Sequence, residues 1–282
     1  MDAFKPDEYW QSIITDQDSD LDLAYALLAL YSGFHKGLSL FRYVSHLSSL
    51  SDEVSKRFDS LVEEGANNDA RTRLAALKHI IHDAQEYMVA NDDEADITES
   101  CDLIRAIDNR SAHAGILALL YIRTAQSLGW QAEILSMPDH YICRLIHEGE
   151  YIIFHPVEGC MILEAPDLRK IIKDTLGQQA ELSNAYFKPL PKRDFLIKVL
   201  NPLKNRYIEA GDYKFALDLV KKMRELAPYE YRLLFDAGVL NARIGKDDDA
   251  ISDLEDYIDM APNARDRDDA YLLLNELIMK QE

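Results

Sequence analysis

The side chains that could do chemistry in this chain are three cysteines and a group of histidines in its middle third. Cys101, Cys143 and Cys160 have no paired spacing, so the sequence indicates neither a disulfide framework nor a cysteine-based zinc site. A thiol nucleophile needs a neighbouring base, and His140 lies three residues before Cys143. On a strand, that spacing places the two side chains on opposite faces. A pair of Cys143 with His140 is therefore not expected.

The elements that position these residues are one apolar helix and a set of short strands. Asn109-Arg110-Ser111 introduces a helix predicted over 112–128, and Gly129 ends it. Four short segments rich in Ile, Tyr, Leu and Phe follow, separated by turn residues, and a further helix is predicted over 166–176. We predict antiparallel strands over 131–136, 140–147, 150–155 and 160–163.

The chain before this region is predicted to be helical throughout residues 1–108. Its clearest segment is 70–90, where apolar residues recur with helical spacing on one stripe. The members of that stripe are Leu74, Leu77, Ile81, Ala84 and Met88. The acidic residues 92–96 interrupt the pattern.

A second region begins after residues 188–192, a stretch that contains two prolines and is the best linker candidate. Beyond it, three residues recur 34 positions later, which is the period of helix-turn-helix arrays. The pairs are Gly211 and Gly245, Ala216 and Ala250, and Pro228 and Pro262. Glycine permits the tight turn between the helices, alanine permits their close approach, and proline ends the second helix.

The units 197–230 and 231–264 therefore resemble tetratricopeptide repeats. The first unit has Lys204 where the family prefers glycine, and the second has Gly238. A last helix, about 266–279, is expected to cap the stack with a polar outer face. In the family the concave side of each first helix faces the ligand, which implies a protein or peptide partner. Alignment puts Lys198, Asn201, Asn205, Arg232, Phe235 and Val239 there. The alternative is that so short an array only packs against the front domain.

Residues 111–159 resemble a transglutaminase-like core, especially its SirB-type branch, in three places. The first is a helix from Ala114 that ends in Ser127-Leu128-Gly129. The second is Pro138-Asp139-His140-Tyr141-Ile142-Cys143-Arg144, and the third is Phe154-His155-Pro156-Val157-Glu158-Gly159. The same branch commonly carries C-terminal tetratricopeptide-like repeats. The resemblance implies a bacterial protein of regulatory association.

In active members of that family a cysteine at the helix start attacks an acyl group, a strand histidine takes its proton, and an aspartate orients the histidine. The resemblance assigns these positions to Ala114, His140 and His155. Alanine has no nucleophilic atom, and histidine cannot supply the missing carboxylate. The resemblance therefore implies a vestigial site, with no catalytic residue and no cofactor, in a protein that is not an enzyme.

Two alternatives remain open at this stage. The protein could be a hydrolase or acyltransferase in which another cysteine moves into the site. A metal ion could instead bind the imidazoles of His113, His140 and His155. No carboxylate or thiolate is clearly placed as a further metal ligand, so the main expectation is that no metal binds.

The net charge of the chain limits the classes of partner that the sequence favours. The net charge is −19, of which residues 1–191 hold −15 and residues 192–282 hold −4. Such a field repels phosphate backbones and anionic lipid, so neither nucleic acid nor membrane is expected as a partner. The acidic surface either aids solubility or docks a basic partner. The first residues offer no signal peptide and no apolar run is long enough to span a membrane, so a cytoplasmic location is expected.

The sequence thus predicts a mainly helical α+β protein. Residues 1–187 form a transglutaminase-like, papain-like front domain with a small antiparallel sheet, whose core covers about 101–185. Residues 193–282 form an all-α tetratricopeptide-like region. We expect the protein to act as a non-catalytic scaffold, adaptor or regulator of unknown oligomeric state.

Overall fold

The computed structural model describes residues 4–15, 17–90, 97–157 and 159–281, apart from the side chains of Ser19 and Gln281. The chain divides into two compact units, Met1–Leu196 and Ile197–Glu282. Helix dominates both units, and a small antiparallel sheet lies in the first, as predicted. None of the described helices combines the length and the apolarity that a membrane span requires.

The described residues of the first unit include eight complete α-helices and two short 3-10 turns, Asp18–Asp20 and Asn184–Phe187. The helices are α1 (Pro6–Thr15), α2 (Leu23–Ser32), α3 (Phe41–Glu63), α4 (Ala70–Lys78), α5 (Ile97–Ser100), α6 (Leu103–Asn109), α7 (Ala114–Ser127) and α8 (Ala165–Leu176). α7 is the central helix, because every residue from Gly115 to Ala125 is buried. A helix that is apolar on all sides needs neighbours all round. α2, α3, α4 and the sheet supply them.

The predicted helix over 70–90 is wrong beyond residue 84, and with it the expectation of helix throughout 1–108. α4 continues as a π-helical turn over His79–Ala84, and Glu86 then takes a positive φ of 58°. Met88–Val89 forms strand β1, which pairs in parallel with strand β2 (Ser111–Ala112). Met88 is 52% exposed and does not continue the buried stripe. Pairing with a distant segment has overridden the local helical pattern. The acidic residues 92–96 lie outside the described residues.

The four strands predicted in the middle third are confirmed, the third with the predicted bounds and the other three with shorter bounds. They are β3 (Gln131–Ile134), β4 (Cys143–His147), β5 (Glu150–His155) and β6 (Met161–Ile162), antiparallel in the order β3-β4-β5-β6. Cys143 pairs with Phe154, and His155 pairs with Met161. The sheet therefore holds the two histidine motifs in a fixed register.

The stretch predicted as a linker, 188–192, belongs to the first unit and is hydrogen-bonded to the segment at the end of β3. The Leu190 amide donates to the Ile134 carbonyl at 2.7 Å, and the Ser136 amide donates to the Lys188 carbonyl at 2.9 Å. These bonds extend the sheet beyond the edge of β3. Helix α9 (Lys192–Glu209) then begins, and the Asp18 carboxylate accepts from the amides of its first two residues. The division between the two compact units falls within α9.

The second unit begins within α9 and contains the predicted helix pairs, the remainder of α9 with α10 (Tyr213–Leu226) and α11 (Arg232–Arg243) with α12 (Asp247–Met260). α13 (Ala264–Gln281) follows them. Gly211 and Gly245 occupy the turns with φ of 76° and 77°, which L-residues rarely adopt. Ala216 and Ala250 are fully buried, as the repeat pattern predicts.

The two repeats differ at one equivalent position, which holds Lys204 in the first and Gly238 in the second, and each residue fits its surroundings in a different way. At Gly238 a Cβ atom would lie 2.8 Å from Cγ of Leu254, so glycine is what lets α11 and α12 approach. At the corresponding position of the first repeat, the buried ammonium of Lys204 pairs with the carboxylate of Asp236 on α11. A buried cation is tolerated there because it has this partner.

The outer face of the last helix is mixed in character. α13 packs against α12 through Ala270, Leu274 and Leu277. Its opposite face exposes the polar residues Asp268, Asn275 and Glu276 together with Leu272 and Met279, the last two at 66% and 76%. The polar outer face expected of a capping helix is therefore interrupted by two exposed apolar side chains.

Candidate functional site

The position that the family resemblance assigns to a nucleophile, Ala114, lies at the start of the central helix. His113 is the N-cap residue of α7, and its Nδ1 accepts a hydrogen bond from the Gly115 amide at 3.2 Å. Ala114 is the first helical residue and is half-buried. The N-terminal end of a 14-residue helix carries partial positive charge, which favours an anion such as a thiolate. The position is suited to a nucleophile, but its side chain is a methyl group.

His140 lies in the loop before β4, directly after Asp139, whose φ of 51° marks the turn. The Nε2 atom of His140 is 3.2 Å from Oγ1 of Thr175 on α8. The Thr175 hydroxyl itself donates to the Ile171 carbonyl at 2.8 Å. Its oxygen therefore accepts from His140, so Nε2 carries the proton in this contact.

His155 ends β5 and faces His140. The centroids of the two imidazole rings are 6.0 Å apart and the ring planes are inclined by 73°. Nδ1 of His155 accepts from the Val157 amide at 3.3 Å, which fixes the ring at the strand end. The structure thus brings together the two histidines that the family resemblance assigned to one site.

The start of α7 contacts the segment that carries His140 through the ring of Tyr141. The ring of His113 packs edge-on against Tyr141 at 5.5 Å, and Tyr141 directly follows His140. Tyr141 also meets the ring of Phe195 on α9 at 6.0 Å. Burial raises the pKa of the Tyr141 hydroxyl, so this group stays protonated at neutral pH. Aromatic packing connects the two halves of the candidate site.

The three cysteines of the chain are buried thiols, free of disulfides. Burial raises the pKa of Cys101 and of Cys160 to about 12, and it raises the pKa of Cys143 well above its usual value. Reactive cysteines have lowered pKa values and accessible sulfur atoms. These three thiols have the opposite properties.

Within the described parts of the chain, no three His, Cys, Asp or Glu side chains cluster closely enough to hold a metal ion. The suggestion of a metal at His113, His140 and His155 therefore gains no support from the geometry. The arrangement places two imidazole rings face to edge, with their centroids 6.0 Å apart.

Sequence reasoning missed Thr175 and Phe195, which the structure brings to the candidate site. Thr175 lies 20 residues beyond His155 on a helix, and no local pattern links it to a histidine. Phe195 lies beyond the stretch that looked like a linker. Only the three-dimensional packing of α8 and α9 reveals them.

The residues assigned to the concave face of the repeats differ in exposure. Asn205 on α9 and Arg232 on α11 are exposed, whereas Lys198, Asn201 and Val239 are half-buried. Phe235 is also half-buried, with its ring 5.2 Å from that of Tyr257. The Arg232 guanidinium lies over the ring of Tyr231 at 5.5 Å. Asn205 and Arg232 are thus the members most open to a ligand.

Comparisons with known proteins agree with this organisation. The tetratricopeptide repeat model matches residues 203–275. Two similar relatives are UPF0162 proteins from the Temecula1 and 9a5c strains of Xylella fastidiosa. Each is 23% identical over 269 residues, covering 92% of this chain and 91% of the relative. These names do not bear on the SirB-type branch, which stays a prediction.

The family model of the transglutaminase-like superfamily matches residues 41–201. That range includes α7, the whole sheet and the facing pair of His140 and His155. It spans more than half of the chain, so the chain belongs to the transglutaminase-like superfamily and carries tetratricopeptide repeats after that domain.

Proposed function

We propose that this protein is a non-catalytic scaffold or adaptor in the cytoplasm, with a pseudoenzyme domain joined to a peptide-binding repeat region. The observation that carries the proposal is Ala114 at the first position of α7. Acyl transfer by this family needs a nucleophilic atom there, and a methyl group has none. His155 in place of a carboxylate removes the group that would orient the base.

The chemistry of the cysteines supports the same proposal. A substitute nucleophile would have to be accessible and ionised near neutral pH. Cys101, Cys143 and Cys160 are buried, and burial raises the pKa of each thiol. Buried free thiols are also compatible with a reducing compartment.

The binding role rests on the repeat region. Tetratricopeptide repeats generally mediate contacts between proteins. The first helices of the repeats carry two side-chain amides and two cations. The amides are those of Asn201 and Asn205, and the cations are those of Lys198 and Arg232. Amides can bond peptide carbonyls and amide groups, and cations can bond carboxylates. An extended peptide with acidic groups is the partner that these side chains suit.

The catalytic half of the proposal is tested with purified full-length protein. We expect no thiol-dependent hydrolysis of peptide or acyl-transfer substrates, and no cysteine that reacts with iodoacetamide faster than a small-molecule thiol. The control is protein unfolded in urea, in which all three cysteines should react. Rapid labelling of one cysteine in the folded protein, with parallel loss of a measurable activity, would establish a cysteine enzyme instead.

The binding half is tested by affinity capture with wild-type protein and with the triple variant Asn201→Ala, Asn205→Ala, Arg232→Ala. We expect a partner that is retained by the wild type and lost from the variant, followed by a lower affinity in direct titration. The matched control is Ser252→Ala, an exposed position on α12. Equal affinity of the triple variant, with an unchanged circular dichroism spectrum, would move the binding role away from the repeats.

A further inference from the structure

The first unit contains a cavity of about 510 Å³ with a basic wall, although the chain around it is acidic. The cavity lies where the turn over 34–38, the start of α3 and the helix α6 meet. Its charged lining groups are the cations of Lys36, Arg42 and Arg105 and the carboxylate of Asp108. These groups give a local charge of +2, whereas residues 1–191 hold −15. We call this feature the basic cavity.

One of the three cations is already paired. The guanidinium of Arg42 contacts the carboxylate of Asp108 at 2.8 Å and lies over the ring of Tyr43 at 4.5 Å. The Tyr43 hydroxyl also donates to Asp108, at 2.9 Å. Lys36 and Arg105 are exposed, and among the described residues neither has a carboxylate partner. The basic cavity therefore presents two positive charges that no protein group balances.

His35 adds a hydrogen-bonding group to the same wall. Its Nε2 atom bonds the carboxylate of Asp102, which is itself fixed because its Oδ1 accepts from the Ile104 amide at 2.8 Å. An ionised carboxylate only accepts, so Nε2 carries the proton in this contact. Within the parts of the chain that the structure describes, Nδ1 of His35 has no hydrogen-bond partner. Nδ1 can thus accept from a protonated ligand oxygen or, once protonated, donate to an anionic one.

We propose that the basic cavity binds the phosphate group of a small phosphorylated organic molecule. A phosphate monoester carries about −1.5 to −2 charges near pH 7, which matches the two unbalanced cations. The guanidinium of Arg105 suits phosphate oxygens as a fork of donors, and the ammonium of Lys36 acts as a point charge. Phosphate also keeps or loses its last proton near neutral pH, which suits the imidazole of His35. A carboxylate carries a single charge and leaves one of the two cations unbalanced.

The size and the remaining walls of the cavity indicate an organic part on the ligand. A water molecule takes about 30 Å³ of liquid volume, so a phosphate group alone leaves most of 510 Å³ empty. Small-molecule sites typically enclose roughly 300–1,000 Å³. Phe34, Leu38 and Ile104 supply apolar surface beside the cations. A ring or short apolar group attached to the phosphate can pack against them.

The acidic surroundings favour a small ligand over a chain of phosphates. Nucleic acid or an anionic membrane would extend beyond the basic cavity onto a surface that repels it. At about 0.15 M salt, charges are screened over about 8 Å, so a group inside the cavity responds mainly to the charges of its own wall. The site is independent of the adaptor role proposed above.

The first test is isothermal titration calorimetry of the full-length protein with phenyl phosphate. We expect a dissociation constant below about 1 mM. Phenyl sulfate has the same shape but one negative charge, so it should bind at least about fivefold more weakly. Inorganic phosphate should also bind more weakly than phenyl phosphate, because it lacks the ring.

A pair of double variants locates the site. Lys36→Ala with Arg105→Ala should weaken the binding of phenyl phosphate by about tenfold or more, because both unbalanced charges are lost. Arg169→Ala with Lys170→Ala is the matched control, since it removes the same two charges from exposed positions on α8. The control should bind as the wild type does. Circular dichroism checks that both variants keep the fold.

The second test uses the wild type alone and does not depend on the folding of a variant. Surface lysines are acetylated with sulfo-N-hydroxysuccinimide acetate, and the modified peptides are quantified by mass spectrometry. Saturating phenyl phosphate should slow the acetylation of Lys36 severalfold and leave that of Lys170 unchanged. Equal rates at Lys36 with and without phenyl phosphate would contradict binding in the basic cavity.

The inference is overturned if the wild type does not bind phenyl phosphate at millimolar concentration, if phenyl sulfate binds equally well, or if the two double variants behave alike. A phosphoserine peptide is the remaining comparison. If it binds at least about tenfold more tightly than phenyl phosphate and needs the same two cations, the site belongs to a phosphorylated protein partner and the small-molecule assignment is wrong.

Discussion

The imidazole rings of His140 and His155 lie 6.0 Å apart, where an active member of the superfamily would have an imidazole beside a carboxylate. A second imidazole can hydrogen-bond but supplies no negative charge to stabilise a protonated base. On the proposal made above, the site keeps the geometry of the strand motifs without the charge that this geometry serves. Restoring the missing groups is a direct test of this interpretation.

We predict that Ala114→Cys combined with His155→Asp creates a reactive thiol. The new sulfur would lie at the N-terminus of α7, and the introduced carboxylate would lie beside His140, so both the helix field and the base favour the thiolate. Its reaction with iodoacetamide at pH 7 should be at least about tenfold faster than that of Ala185→Cys, an exposed thiol with no such neighbours. Equal rates would mean that the helix start and His140 do not share one cleft.

We predict that Ala250→Leu destabilises the repeat region by about 1–3 kcal/mol, because a larger side chain overpacks a contact that is fully buried. The measurement is urea unfolding followed by circular dichroism. Ser252→Leu adds the same kind of side chain at an exposed position of the same helix, and its effect should stay within about 0.5 kcal/mol. A similar loss in both variants would show that helix α12 does not pack closely through Ala250.

We predict that Lys204→Met destabilises the same region by roughly 2–3 kcal/mol, because it leaves the Asp236 carboxylate without the cation that offsets its partial burial. Adding Asp236→Leu should recover much of the loss, since an apolar pair needs no charge partner. A thermodynamic cycle of the two single variants and the double variant measures the coupling. Additive effects would contradict a functional ion pair between α9 and α11.

We predict a pH-dependent loss of stability that depends on His46. Burial, and to a lesser extent the charge of Arg110, lower the pKa of His46 from 6.5 to about 4, while Glu53 acts in the opposite sense. The unfolded chain therefore binds a proton at higher pH than the folded chain, so stability is lost as pH falls from 6.5 towards 4. After allowance for partial exposure, this contributes roughly 1–2 kcal/mol.

The measurement compares the wild type with His46→Gln between pH 7 and pH 4.5. Glutamine can still bond the Tyr87 hydroxyl, which lies 2.8 Å from His46 Nε2, but it does not titrate. The variant should lose less stability over that interval. Carboxylates titrate in both proteins and cancel in the difference. Parallel curves would show that His46 does not carry the effect.

The parts of the fold that sequence predicts are those encoded by short-range patterns. The strands around Cys143 and Phe154 follow from apolar segments between turn residues, and the repeats follow from a 34-residue spacing of glycine, alanine and proline. Each of these signals acts within one or two elements. The family motifs likewise placed His140 and His155 close together, as the structure has them.

The parts that sequence missed depend on partners far along the chain. Met88 does not continue the predicted helix, because it pairs with Ser111 in a short parallel ladder. The imidazole of His140 contacts the hydroxyl of Thr175, which lies on a helix 35 residues further along the chain. The two exposed apolar side chains on the outer face of α13 were missed for another reason. A polar cap was expected from the general behaviour of repeat arrays, and Leu272 and Met279 depart from it.

The extension of the sheet by residues 188–190 bears on where this protein can be cut. A chain ended at residue 187, the predicted end of the front domain, would leave the backbone of Ile134 and Ser136 unpaired at the edge of β3. An open edge of this kind recruits strands from other molecules, so such a fragment should aggregate. In the intact chain Pro189 and Pro191 form the new edge, where their missing amide protons discourage further pairing. A soluble fragment of the front domain therefore has to include the proline segment.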